Sequence, residues 1–333
     1  MRLCLAATTG FDRLITIAAS EPLLAEAASQ LMHESQTSPV RHLANHSDLN
    51  CVDHGWRGEL VAALIIMQAR DAASRNEERW VSVCDFMEAL LLPAKYKELR
   101  DSEPTFWRES EDRTFSETFQ DYAMWFNHVI RIEDGNMIST ELLWRFITRG
   151  AMIMCRHNQT GIDIVLPVCA RQGKLSGDSV TAIIIQVKNA KQHGNNIDKT
   201  VFDEMDPFEV GLFNPTSQKQ KPVIRMVFAL ASPTHDTLFP PRRTNTTRCS
   251  GGATKFTAWD IWCAGLMSFK NIGGDLASYE RLLVRSMISH DAFDVGEKND
   301  IHLDDETWKE IGRRRRTMAA LIMSNDNYSR IHL

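Results

Sequence analysis

Four short runs after Gly150 constrain this chain more than anything else in it. Residues 151–155, 162–168, 180–188 and 223–231 are strand-length, rich in β-branched side chains, and separated by polar or Gly-containing connections. Three of them are apolar at odd and even positions alike, which suits strands covered on both faces. Helical periodicity surrounds them. It is read over 14–32, 57–73, 81–92 (stopped by Pro93), 119–132 and 140–148, and again over 276–289 and 304–322. Residues 33–54 read as a polar connector, and 95–117, crowded with both signs of charge, as a solvated surface. Helices, then a sheet, then helices predict an α/β (α+β) fold with a central mixed sheet flanked by helices. The expected organisation is a helical N-terminal extension over 1–54, a core over 55–235 with a helical insertion near 75–148, and a mostly helical C-terminal extension over 236–333.

Composition narrows the functional classes. Apolar residues make up 43% of the chain against 24% charged, which excludes a disordered or fibrous protein. Lys plus Arg number 38 against 43 Asp plus Glu, a net charge of −5, so any grip on nucleic acid has to come from a local basic patch. The seven cysteines are scattered without a CxxC pair, as in an intracellular protein with reduced thiols. The N-terminus is interrupted too soon by Thr8, Thr9, Gly10 and Asp12 to read as a secretory signal, and no run reaches the roughly 18 apolar residues of a membrane helix. The expected location is cytoplasmic or nuclear, with the sequons at Asn45, Asn158, Asn245 and Asn327 unmodified.

Polar residues break the apolar strands at three places. Asp163 lies in Gly161-Ile162-Asp163-Ile164-Val165-Leu166, and Gln186 and Lys188 end Ile183-Ile184-Ile185-Gln186-Val187-Lys188. Alternation puts Gln186 and Lys188 on one face. If the two strands are antiparallel neighbours joined through the 173–177 turn, Asp163 meets them across the sheet. Burying an acid and an amine costs several kcal/mol unless they are paired, hydrogen-bonded or metal-bound. A hard ion such as Mg²⁺ (or Mn²⁺) takes oxygen ligands, which the Asp163 carboxylate, the Gln186 amide and the Val187 carbonyl can supply. Lys188 then stands beside the ion, placed to orient a water or offset phosphate charge. Glu59, at the start of the buried helix, is the candidate fourth member. The bland alternative is a turn cap at Asp163 with a simple Lys188 ion pair, and for Glu59 a helix-dipole preference.

These residues resemble the motif of the PD-(D/E)XK superfamily, the restriction-endonuclease-like nucleases: a helix bearing Glu, a strand bearing Asp, and a following strand ending in Glu or Gln, any residue, Lys. The matches are Glu59, Asp163 and Gln186-Val187-Lys188, and the Gln form resembles the Mrr-like branch. The surrounding text also resembles uncharacterised fungal proteins associated with mobile elements or Crinkler-like effectors. Residues 55–235 carry the resemblance. It implies a metal-dependent nuclease, acting on DNA or RNA, or a catalytically weakened descendant. Gln in place of Glu removes one charge and weakens the expected metal affinity. Candidate nucleic-acid contacts are His157, Lys191, His193, Arg242 and Arg243, while the run Arg313–Arg316 reads equally as a basic contact or a salt-bridged helix surface. The alternative is a non-enzymatic interaction protein that keeps the fold, with a protein partner or a second copy meeting the aromatic segment around Trp259, Trp262 and Phe269. Core packing is the competing reading of those rings.

Overall fold

In a computed structural model of the chain, the described residues are 2–7, 14–18, 38–46, 54–74, 80–107, 113–156, 159–190, 193–194, 196–214, 221–244, 248–249, 252–253 and 256–284. Among them the first strands and helices are β1 (Arg2–Ala7), β2 (Leu14–Ala18), α1 (Pro39–His46), α2 (His54–Ala73), β3 (Val81–Ser82), α3 (Val83–Leu90), α4 (Pro93–Arg100) and β4 (Phe106–Trp107). Then come α5 (Phe115–Phe119), β5 (Tyr122–Met124), β6 (His128–Arg131), α6 (Thr140–Arg149), β7 (Ala151–Met154), β8 (Ile164–Ala170), β9 (Val180–Lys188) and α7 (Lys199–Glu204). The last are β10 (Val223–Ala229), β11 (Asp236–Leu238), β12 (Arg243–Thr244), β13 (Arg248–Cys249), β14 (Gly252–Ala253), β15 (Ala258–Ala264) and α8 (Leu276–Val284). No helix among the described residues is long and apolar enough to cross a membrane.

Among the described residues eleven strands make one mixed sheet in the order β12, β4, β15, β10, β9, β8, β5, β3; β11 joins β15, and β7, which carries β6, joins β8. The fold is α+β, as the strand and helix patterns predict. Strand β8 is antiparallel to β7 and β9, whereas β10 runs parallel to β9 and β15. Pro167 is tolerated inside β8 because it sits where the partner on one side changes from β7 to β5, in a stretch with no ladder on that side. Both faces of the sheet are covered. Ile164, Leu166, Ile183 and Ile185 pack with Val61 and Ile65 of α2 and Phe86 of α3, while Val165, Ala182 and Ile184 pack with Phe146 of α6 and Phe202 of α7. Each such side chain contributes about 1.5–3 kcal/mol relative to exposure. Double coverage is why these strands lack polar alternation.

One charge pair is built into the second layer. Arg225 of β10 faces Asp260 of β15 on a parallel rung, with Nε to Oδ1 at 2.6 Å and Nη2 to Oδ2 at 2.7 Å. Its Nη1 donates to the Phe202 carbonyl at 2.7 Å, and the guanidinium lies 4.5 Å from the Phe106 ring centroid. Neither side chain is more than 1% exposed.

Three expectations about elements are corrected. Residues 14–18 are β2, antiparallel to β1, rather than the start of a helix: Leu-Ile-Thr-Ile-Ala is β-rich and finds a partner in Arg2–Ala7. Residues 19–32 lie outside the described residues. The stretch 119–132 holds only the last residue of α5 and then turns into β5 and β6; along β6 half-buried and exposed residues alternate, a period of two that the aromatic spacing disguised. The sheet also runs past residue 235. Strand β15 is buried at all seven positions, so Trp259 and Trp262, together with the nearby Phe269, are core and not a partner surface. Pro93 stops α3 as expected but also opens α4, where its fixed φ suits the first helical position. The 304–322 helix and the Arg313–Arg316 run lie outside the described residues.

Candidate active site

The antiparallel pairing of β8 and β9 runs from Cys169 opposite Val180 to Ile164 opposite Ile185. One rung further, at the end of the ladder, Asp163 comes opposite Gln186. Asp163 ties three strands together there: its N–H donates to the Ile185 carbonyl at 2.9 Å, its carbonyl accepts from the Cys155 N–H at 2.7 Å, and its Oδ2 accepts from the Val187 N–H at 2.6 Å. Within a strand the N–H and C=O of a residue face the same neighbour. The Val187 carbonyl therefore faces the Asp163 side, while that of Lys188 is turned to β10, where it accepts from the Leu230 N–H at 3.0 Å. Gln186 and Lys188 share the other axis, on one face of β9.

The electrostatics of this corner are unbalanced. Burial pushes the Asp163 carboxyl above the usual carboxylate range; the Val187 N–H and the Lys188 charge pull it back only in part. Gln186 is 6% exposed, and among the described residues its Oε1 finds no hydrogen-bond partner. A buried amide oxygen left in that state costs on the order of 1–3 kcal/mol. The approach to Asp163 is fixed by Gly161, whose φ of 83° is left-handed and whose absent Cβ would lie 2.1 Å from the Glu204 carbonyl oxygen at the end of α7.

Glu59, about a hundred positions upstream, follows Gly58 in α2, the helix that covers the Val187 face of β9. The second turn of α2 lies against the end of β9, close enough that a Cβ on Gly58 would meet Val187 Cγ1 and Asn189 Cβ at 3.1 Å each. Glu59 itself is 9% exposed. Cys155 lies within the influence of both acids: burial pushes its thiol up, and the charges of Asp163 and then Glu59 push it further. As residue types, Asp163, Glu59, Gln186 and Val187 offer two carboxylates, one amide and one main-chain carbonyl. Among the described residues no three His, Cys, Asp or Glu side chains gather to hold a metal ion.

The expected basic patch divides. His193 stays with Lys188: burial, then the Lys188 charge, lower its pKa, while Asp198 opposes them. Asp198 caps α7 through the Thr200 N–H at 3.0 Å and Thr200 Oγ1 at 2.6 Å. Its position at this corner was missed in the sequence, although Asp-Lys-Thr at a helix start is a legible cap. Cys155 and Asn189 were missed as well; neither has a motif, and only the strand register reveals them. Arg242 is exposed and ion-paired with Glu103, and Arg243 belongs to β12. Four strand spacings of about 4.8 Å separate β12 from β9, roughly 19 Å. His157 and Lys191 lie outside the described residues.

The sequence profile of a family described as a domain of unknown function, DUF8736, matches residues 1–238. The chain belongs to the DUF8736 family. No curated protein and no solved structure matches it. The region shared with DUF8736 contains Glu59, Asp163, Gln186, Lys188 and His193 and ends at β11. The whole candidate corner is therefore inside the DUF8736 span, and Arg242 and Arg243 are outside it.

Proposed function

We propose that this DUF8736 protein is a metal-dependent nuclease, or a weakened descendant of one, built on a restriction-endonuclease-like core. The succession α2, β7, β8, β9, α7, β10, with three antiparallel strands followed by a helix and a parallel fourth strand, supports that core. The observation that carries the reading is the last rung of β8 and β9. It sets an under-compensated carboxylate opposite a buried amide oxygen that has no hydrogen-bond partner among the described residues, with an amine two residues on along the same face.

The donors fit Mg²⁺ or Mn²⁺, since all are oxygens: Asp163, Gln186 Oε1, the Val187 carbonyl and Glu59 would hold it. Bound there, the ion supplies positive charge to the phosphate oxygens and acidifies water. Lys188 orients the attacking water and offsets charge developing on the phosphate. His193 and the exposed Lys199 meet neighbouring phosphates of a DNA or RNA strand in place of the bulk positive charge that the chain lacks. The protein acts in the cytoplasm or nucleus, where such substrates are met. The test is incubation of the purified protein with DNA and RNA in Mg²⁺ or Mn²⁺. Cleavage that stops on chelation with EDTA is expected; binding of ion and strand without cleavage identifies the weakened form, and neither binding nor cleavage overturns the reading.

A further inference from the structure

We propose that Gly58 is a positioning residue: its missing side chain lets the start of α2 lie against Val187 and Asn189, which sets the Glu59 carboxylate at the end of the sheet that carries Asp163. The inference rests on the nuclease reading and goes beyond its motif, which contains no such glycine.

Glycine is among the poorest helix formers, and Gly58 sits inside the long helix α2 as its fifth residue. Local propensity argues against it. The packing explains it: a Cβ at this position would stand 3.1 Å from both Val187 Cγ1 and Asn189 Cβ, closer than carbon atoms normally approach. One of these contacts is the first atom of a side chain, fixed to the strand that carries Gln186 and Lys188, so that strand or the helix has to give way. Glu59 is the next residue along α2. Any outward movement of the helix start carries Glu59 away from Val187, whose N–H holds the Asp163 carboxylate at 2.6 Å. The sequence thus gives up helix propensity at one position to hold an acid in register with a strand.

Stability and function should consequently separate in Gly58→Ala. The expected result is a melting temperature equal to or above wild type, with Mn²⁺ affinity lowered about tenfold or more, the range seen when residues that orient metal ligands are changed. Because Gly58 acts through Glu59, the loss should vanish in a background that lacks the acid: Glu59→Gln and Gly58→Ala/Glu59→Gln should bind Mn²⁺ alike. If Gly58→Ala melts lower, the comparison is repeated in Asn189→Gly, which removes one of the two crowded carbons and should restore affinity toward wild type. Unchanged Mn²⁺ affinity in Gly58→Ala, or a further loss in the double variant, overturns the proposal while leaving the nuclease reading intact. A wild type without Mn²⁺ affinity overturns both.

Discussion

Replacement of Arg225 by alanine is expected to lower the unfolding free energy by about 3–5 kcal/mol, the usual consequence of stranding one member of a buried charge pair. The guanidinium is almost fully enclosed and its contacts are to fixed groups: both oxygens of Asp260, the Phe202 carbonyl, and the rings of Phe106, Phe202 and Phe256. Removing it leaves the Asp260 carboxylate in an apolar layer with one donor fewer on each oxygen and also opens a cavity between β10 and α7. Chemical denaturation measures the loss, and the melting temperature should fall by about 4–7 °C. Arg225→Met/Asp260→Leu should recover much of it, since apolar replacements of a buried pair are often close to neutral. A loss below about 1 kcal/mol in the single variant contradicts the description of this pair as closed and dry.

The largest functional effect is expected at Asp163. Asp163→Asn keeps an oxygen to accept the Val187 N–H, so the three-strand junction should survive, with melting temperature within a few degrees of wild type. What it removes is the negative charge opposite Gln186. Initial rates of strand cleavage should fall at least about 100-fold, the scale on which groups that stabilise transition-state charge act. Lys188→Met keeps the aliphatic stem and deletes the ammonium, with a loss of similar size. The double variant should be little worse than either alone, because both residues serve one event. Retention of more than about a tenth of the wild-type rate by either variant would mean that cleavage does not pass through this corner.

Some of this architecture was legible in the sequence because the signals were local. Strands 151–155, 180–188 and 223–231 announced themselves through β-branched runs without alternation, and the antiparallel joining of β8 to β9 followed from the short Gly-containing connection. The rung that faces Asp163 with Gln186 could then be anticipated by counting. What depended on distant partners was not legible. Leu14–Ala18 becomes a strand only because Arg2–Ala7 pairs with it, and β15 enters the sheet between β10 and β4, which no property of its own segment dictates. The basic residues are spread for the same reason: Arg243 and Lys188 read alike along the chain, and only the strand order puts four spacings, roughly 19 Å, between their strands. Glu59 was singled out by its type, whereas the close approach of Gly58 beside it to Val187 and Asn189 is a matter of contact distance.

Calorimetric titration of Mn²⁺ into the metal-free protein tests the existence of the cation-holding corner most directly. The arrangement of Asp163, Gln186 and Val187 predicts one ion per chain for wild type, no detectable binding for Asp163→Asn, and affinity reduced about tenfold or more for Gln186→Leu. Absence of binding in the wild type, or equal affinity in all three proteins, contradicts it.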